Sequence, residues 1–172
     1  FAIRQPLFSD FDEFSFWGTA AKLTKVNDTL YTECEVGWAW QATQNPGLIT
    51  LSYFLQFLGS FAPWKVYLAY DALLFACFGA VLGATGWKKY ENAVALGLIC
   101  WCVPWFFTTY CRTIYLSGVY MTSYGDIPAG VVLGGAVAFW LCLRQAEKAP
   151  FWTLLPVLAL TGNIKSNTFV LS

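Results

Sequence analysis

Histidine is missing from this sequence of 172 residues. Its absence excludes Ser-His-Asp and Cys-His nucleophilic catalysis and histidine-ligated zinc within these residues. An acid or base that acts in catalysis must therefore be a carboxylate, lysine, tyrosine or cysteine side chain.

Charged residues are scarce and balanced in sign. Ten Lys+Arg face ten Asp+Glu, and charged residues make up 12% of the chain, against roughly 25% in a soluble domain. No cationic surplus is available to neutralise a phosphate backbone, so the composition argues against nucleic acid as a partner. Hydrophobic residues make up 58%, which excludes an ordinary soluble globular protein.

The gaps between charges are long enough for membrane spans. No charged residue lies between Glu91 and Arg112 or between Asp126 and Arg144. Uncharged apolar stretches of about 17–25 residues match the helix that crosses a hydrocarbon core of ~30 Å. We therefore predict an all-α, multi-pass transmembrane helical bundle with spans at about 66–87, 93–111, 127–143 and 151–172.

The apolar segment 47–62 leaves two options open, because it is short enough either to span or to lie at the interface. The positive-inside rule places the short turns that carry Lys88 and Arg144 in the cytoplasm. If the segment lies flat, residues 1–65 and 112–126 share the outer side. We prefer this option and predict an external loop over 1–65 with amphipathic juxtamembrane helices, followed by a membrane domain over 66–172.

The ends of the sequence suggest an excerpt. The chain opens on Phe1 rather than Met and stops at Ser172 within an apolar segment. We expect further spans on either side.

Two glycine pairs predict close helix packing. Gly79-x-x-x-Gly83 and Gly130-x-x-x-Gly134 each place small residues on one helix face. Such faces let helix backbones approach closely in membranes.

Carboxylates lie among aromatic residues near the start of the chain, where Asp10, Asp12 and Glu13 fall within Ser-Asp-Phe-Asp-Glu-Phe-Ser-Phe-Trp-Gly. Desolvation of a carboxylate at a membrane surface raises its pKa toward the range of a general base. The alternative is a helix start, in which Asp10 caps and Glu13 completes a capping-box pair.

Three motifs resemble one enzyme superfamily. Phe-Asp-Glu-Phe-Ser-Phe-Trp-Gly at 11–18 resembles the Phe-Asp-Glu-x-x-Phe-Gly signature in the first external loop of protein O-mannosyltransferases, with one extra residue before the Gly. Asn-Pro-Gly-Leu at 45–48 is similar to the Pro-rich turn later in that loop. Tyr-Gly-Asp-Ile-Pro at 124–128 resembles the second-loop acidic motif of bacterial relatives. In layout, nearly the whole chain resembles the GT-C superfamily of integral-membrane glycosyltransferases.

The resemblance implies a reaction and a location. A sugar would move, with inversion, from a polyprenyl-phosphate-linked donor to a lipid, protein or glycan acceptor outside the cytoplasm. The family places a catalytic Asp in the first loop, which is Asp12 by position, with Glu13 beside it. We expect the bacterial cytoplasmic membrane, rather than the endoplasmic reticulum, to hold the protein, with membrane lipids around it.

Asp126 is the third predicted catalytic residue. It could orient the acceptor, or join Asp10 or Asp12 around a divalent cation. Without histidine a metal needs oxygen ligands, which suits Mg²⁺ or Mn²⁺ better than zinc; metal dependence stays open. Alternatively Asp126, which precedes Ile-Pro, only caps a helix.

The last predicted span contains polar residues. Lys165 lies about 22 Å along a helix counted from Pro150, and a lysine at that depth is a functional hypothesis by default. Lys165 or Arg112 could stabilise a donor phosphate, and we assign Asn163 and Asn167 to the same substrate-binding region with Asp10. Lys165 could instead snorkel to the outer interface. The chain could also be a transporter or channel with its solute site around Lys165, or a structural subunit.

Overall fold

The computed structural model describes residues 3–34, 44–57, 59–85, 89–110, 120–145 and 151–165. Every regular element within these ranges is a helix, so the predicted all-α class is confirmed. A π-helical turn, Glu13–Trp17, continues directly into the first α-helix, and two short 3₁₀ turns lie at Tyr31–Glu33 and Phe151–Leu154. The α-helices are α1 (Gly18–Asn27), α2 (Gly47–Gln56), α3 (Pro63–Thr85), α4 (Tyr90–Tyr110), α5 (Asp126–Gln145) and α6 (Leu155–Ile164).

Three predicted spans correspond to long helices, and the fourth does not. The helices α3, α4 and α5 contain 23, 21 and 20 residues. The predicted helix over 151–172 is wrong as a continuous element, because α6 ends at Ile164 and Lys165 has extended backbone angles. Gly162 and Asn163 have low helix propensity, and the Asn45 side chain donates a hydrogen bond to the Gly162 carbonyl.

The segment 47–62 does not form a spanning helix. The helix α2 contains ten residues, which amounts to about 15 Å of length. That is half of the ~30 Å that a bilayer core requires.

One described helix, Pro63–Ala84, is long and apolar enough to cross a membrane. Shorter apolar helices are Gly47–Gln56, Asp126–Cys142 and Leu155–Ile164. A single long apolar helix does not establish a multi-pass protein, so that part of the fold stays a prediction.

The core lies where α3 packs between α2 and α5. Leu48 and Ile49 of α2, Val66 and Tyr70 of α3, and Val132 of α5 are all buried there. Full burial of one such aliphatic side chain contributes about 1.5–3 kcal/mol. Buried residues from the N-terminal segment and α6 join the same cluster, so the first residues of the chain and its last described helix are part of one core.

Helix direction brings distant segments to one end of this bundle. The Glu13 carboxylate accepts hydrogen bonds from Tyr67, near the start of α3, and from Ser123, just before α5. Lys165, just after α6, pairs with Asp126 at the start of α5. Residues 10–17, 120–126 and Lys165 are therefore neighbours at this end, which we call the acidic end.

The predicted close packing at Gly130 and Gly134 is wrong, whereas that at Gly79 and Gly83 stays a prediction. A Cβ on Gly130 or Gly134 would meet nothing within 4 Å. A Cβ on Gly135 would lie 3.3 Å from the Cys77 side chain, and one on Gly47 would lie 2.5 Å from the Asn163 carbonyl oxygen. Among the glycines whose surroundings the structure describes, Gly47 and Gly135 mark close approaches between helices.

Candidate functional site

Glu13 is a fully buried carboxylate at the acidic end. Its Oε2 atom accepts hydrogen bonds from the Ser9 and Asp10 backbone N–H groups at 2.9 and 3.2 Å and from the Tyr67 hydroxyl at 3.0 Å. Its Oε1 atom accepts the Ser123 backbone N–H at 2.7 Å. One side chain thus joins the N-terminal segment, α3 and the segment that leads into α5.

These contacts change the role assigned to Glu13. The sequence predicts a catalytic residue, but a carboxylate that is fully buried and holds four donors is not open to a substrate. The geometry gives Glu13 a positioning role instead. The bond to the Asp10 N–H is the Glu half of the capping box that the helix-start alternative predicts.

Asp10 has the desolvated environment that the sequence predicts for a base. The residue is 8% exposed, and its Oδ2 atom is buried without a hydrogen-bond partner among the described residues. Burial raises the pKa of the Asp10 carboxyl, and the charge of Glu13 raises it further, against a hydrogen bond with Ser9 that lowers it. Asp10 therefore favours the protonated form more than an exposed aspartate does.

Asp12, the predicted base, is exposed rather than desolvated. The partly buried hydroxyl of Tyr124 lies beside it. Burial raises the pKa of Tyr124, and the neighbouring charge of Asp12 adds to that rise. The expectation of a buried Asp12 is wrong, because the first helical turn directs Glu13 inward and leaves Asp12 at the surface.

Tyr124 was not assigned a role from the sequence, although it belongs to the Tyr-Gly-Asp-Ile-Pro motif. Its backbone N–H donates to the Thr122 hydroxyl at 3.2 Å. The next residue, Gly125, packs against the indole of Trp17, so closely that a Cβ there would lie 2.8 Å from the ring. This packing holds Tyr124 next to Asp12. In the sequence, the one sign of such a role for Tyr124 is its position directly before Gly-Asp.

Asp126 and Lys165 form an ion pair. The Asp126 side chain is 64% exposed and that of Lys165 is 23% exposed. Such a partly exposed pair contributes about 0–1 kcal/mol to stability. It places a cation at the acidic end, next to the segment that carries Tyr124.

Three further predictions concern Asn163, the pair Arg112 and Asn167, and the metal site. Asn163 is exposed in the last turn of α6. Arg112 and Asn167 lie outside the described residues. Among the described side chains, no group of three or more His, Cys, Asp and Glu residues could hold a metal ion. The Asp10, Asp12 and Asp126 set is therefore not assembled as a Mg²⁺ or Mn²⁺ site, and Asp126 has Lys165 as its partner instead.

An apolar groove of about 270 Å³ lies between α3, α5 and α6. Its walls are mostly small and aliphatic side chains, among them Ala76, Ala80, Gly135, Ala136, Val157 and Leu160. At 1.5 Å per residue, Val157 lies about 12 Å along the chain direction of α6 from Lys165. This wall of the groove is therefore close enough to the Asp126–Lys165 pair for one lipid chain to reach both.

Comparison of the chain with protein-family models, curated proteins and solved structures found no match in any of the three. The family resemblance stays a prediction that depends on three short motifs. Two of them, at 11–18 and 124–128, are in contact at the acidic end.

Proposed function

We propose that this chain is part of an integral-membrane glycosyltransferase of the GT-C type, which moves a sugar from a polyprenyl-phosphate-linked donor to an acceptor outside the cytoplasm. One observation carries the proposal. At the acidic end, Asp12 lies beside Tyr124, and Asp126, two positions after Tyr124, pairs with Lys165, so residues of three separate segments lie at one end of the bundle. The apolar groove lies below the same end.

Asp12 is the base in this proposal because it is the exposed carboxylate of the first motif. It would accept the proton of the acceptor hydroxyl while the hydroxyl oxygen bonds to the anomeric carbon. The bond from that carbon to the phosphate oxygen breaks at the same time, and the polyprenyl phosphate leaves with the electron pair. This single displacement inverts the anomeric carbon, and a positioned base contributes about 10²- to 10⁴-fold to such a step.

Lys165 is the cation for the leaving phosphate. A developing negative charge is stabilised best by a group that is already in place before the reaction. Asp126 holds the Lys165 ammonium at the start of α5, so the cation needs little reorganisation. The apolar groove supports a lipid-linked donor, since it could take part of a prenyl chain while the phosphate lies near Lys165.

Multi-pass insertion is part of the proposal and has its own support. The helices α4 and α5 contain 21 and 20 residues, or about 30 Å each, which is the thickness of a bilayer core. The first half of α4 exposes large apolar side chains, namely Val94, Leu98, Ile99 and Trp101. A surface of this kind is unfavourable in water and suits lipid.

The test is Asp12→Asn in the full chain, assayed in membranes with radiolabelled polyprenyl-phosphate mannose, glucose and galactose. We expect sugar transfer to fall by about 10²-fold or more, with unchanged thermal unfolding. Glu33→Gln changes an exposed carboxylate outside the three motifs, so it is the matched control and should retain full transfer. Unchanged transfer by Asp12→Asn would exclude Asp12 as the base, and no transfer by the unmodified chain from any of these donors would count against the proposal.

The structure offers less support for a transporter with a solute site around Lys165. Such a transporter requires Lys165 inside a membrane-crossing helix as part of a solute path. In the structure Lys165 follows the last turn of α6 and pairs with Asp126.

A further inference from the structure

A second cleft, with a mainly apolar lining and polar groups among it, lies between the C-terminal end of α1 and the middle of α2. Its volume is about 230 Å³. It is lined by Thr24, Asp28, Thr29, Leu30, Thr50 and Tyr53. The size is below the ~300–1,000 Å³ of pockets for drug-sized ligands, so the cleft suits one small unit.

Local bonds hold the walls of this cleft in place. The Tyr31 N–H donates to the Thr24 hydroxyl at 3.2 Å, and the Tyr31 hydroxyl donates to the Gln44 carbonyl at 2.7 Å. Asp28 ends α1 in the left-handed region, at φ 55° and ψ 29°, and its carboxylate accepts a hydrogen bond from the Tyr53 hydroxyl. The cleft is therefore formed before any ligand arrives.

The side chains present two kinds of surface to a ligand. The Asp28 carboxylate, the Tyr53 phenol and three threonine hydroxyls line the cleft. The Tyr53 hydroxyl already donates to Asp28 and the Thr50 hydroxyl to the Pro46 carbonyl, so these oxygens and the carboxylate serve mainly as acceptors for ligand hydroxyls. Leu30, the Tyr53 ring and the threonine methyl groups offer apolar contact. A pyranose ring also has these two kinds of surface, because its hydroxyls project from the rim and its C–H groups form apolar faces.

Charges near the cleft exclude other small ligands. The Asp28 carboxylate repels phosphates and carboxylates. The Lys25 ammonium lies 5.8 Å from the centroid of the Tyr53 ring and 5.3 Å from that of Phe57, so it occupies the aromatic surface that would otherwise attract an amine. A neutral polyhydroxylated ligand satisfies both conditions.

We propose that this cleft binds one neutral sugar unit of a glycan, and that the acceptor of the proposed transferase is therefore a glycan. The second clause rests on the proposed function, whereas the first does not. Along the helix that links them, the cleft lies about 20 Å from Asp12. That distance is too great for the sugar that reacts, so the cleft would hold a more distant unit of the same acceptor.

Saturation-transfer NMR on the purified full chain in detergent tests the binding. The probes are the methyl glycosides of glucose, mannose, galactose and N-acetylglucosamine. We expect transfer to at least one probe and an affinity about tenfold lower in Asp28→Asn, because a hydrogen bond to a charged group is lost. Asparagine tolerates the left-handed conformation, so this variant should fold; Tyr53→Phe keeps the ring and should also weaken binding.

Two controls separate this inference from the proposed function. Glu33→Gln removes an exposed carboxylate that does not line the cleft, and Asp12→Asn removes the proposed base; both should bind the probe normally. No saturation transfer to any probe, or equal transfer in Asp28→Asn, Tyr53→Phe and the unmodified chain, would overturn the sugar site. Sugar binding that persists when Asp12→Asn leaves turnover unchanged would support the cleft while the proposed function fails.

Discussion

Asp12 and Glu13 are adjacent in the chain and have opposite environments. Asp12 is exposed and lies beside Tyr124, whereas Glu13 is fully buried and accepts four hydrogen bonds. Successive side chains of a helix point in different directions, so only one member of the pair can face the core. At the scale of the residue, the first motif thus combines one carboxylate that is open to solvent with one that holds neighbouring segments together.

Glu13→Gln should destabilise the folded chain. An amide replaces one acceptor oxygen with a donor, so the Ser123 N–H or the donors on the other oxygen must face another N–H group. A buried donor left unsatisfied costs about 1–3 kcal/mol. We expect a lower thermal midpoint and faster hydrogen exchange at the Ser123 amide, measured by calorimetry and by exchange mass spectrometry in detergent.

Glu33→Gln is the control for this change, because Glu33 is exposed. It should leave both measurements unchanged. Equal protection of the Ser123 amide in Glu13→Gln and the unmodified chain would contradict the positioning role of Glu13.

At the scale of the element, the contact between α2 and α6 depends on a glycine. A Cβ on Gly47 would lie 2.5 Å from the Asn163 carbonyl oxygen and 2.9 Å from its carbonyl carbon. Both are backbone atoms, which cannot turn aside as a flexible side chain can. The first turn of α2 is therefore in direct contact with the last turn of α6, two residues from Lys165.

Gly47→Ala should lower the thermal midpoint of unfolding, although alanine favours helices. The expected loss is about 1–3 kcal/mol, as for other overpacked contacts. Gly130→Ala on α5 is the matched control, because a Cβ there meets nothing within 4 Å. That variant should gain about 0.5–1 kcal/mol from helix propensity. If both variants shift the midpoint equally and in the same direction, the close approach of α2 and α6 is not supported.

At the scale of the whole molecule, α3 separates the acidic end from the start of α4. Its 23 residues extend over about 35 Å. Tyr67 near its start contacts Glu13, so Lys89, beyond its other end, lies at the far end of the bundle.

Cysteine labelling in intact cells tests this arrangement in the membrane. Phe11→Cys and Met121→Cys, both at exposed positions, should react with a membrane-impermeant maleimide from outside. Lys89→Cys, also exposed, should react only after permeabilisation, because α3 crosses the bilayer between them in the proposed topology. The unmodified chain gives the background of the native cysteines. Labelling of positions 11 and 121 from opposite sides would contradict a shared outer site.

The predicted helices and the observed ones agree best where the apolar stretch is long. The helices α3, α4 and α5 begin within three residues of the predicted spans, since a long uncharged segment satisfies its backbone groups most easily as a helix. The prediction is wrong at 151–172, where α6 ends at Ile164 and the Asn45 side chain bonds to the Gly162 carbonyl in its last turn. The expectation that Asp12 is desolvated is also wrong, because Asp12 is exposed.

In the candidate site, too, sequence patterns identify some residues and miss one that depends on tertiary packing. Asp12, Asp126 and Lys165 were selected by residue type and motif, and the structure places them at the acidic end. Tyr124 was missed, because its place beside Asp12 depends on the packing of Gly125 against Trp17.

The amino-acid order alone determines the helical class, the positions of the long apolar helices and the lack of histidine chemistry, because these follow from composition and from hydrogen bonding within a segment. Tertiary structure alone decides that Glu13 bonds to Ser123, 110 positions away, and that Asp126 meets Lys165, 39 positions away. Such pairings depend on how the helices pack around α3, and no local pattern in the chain encodes that packing.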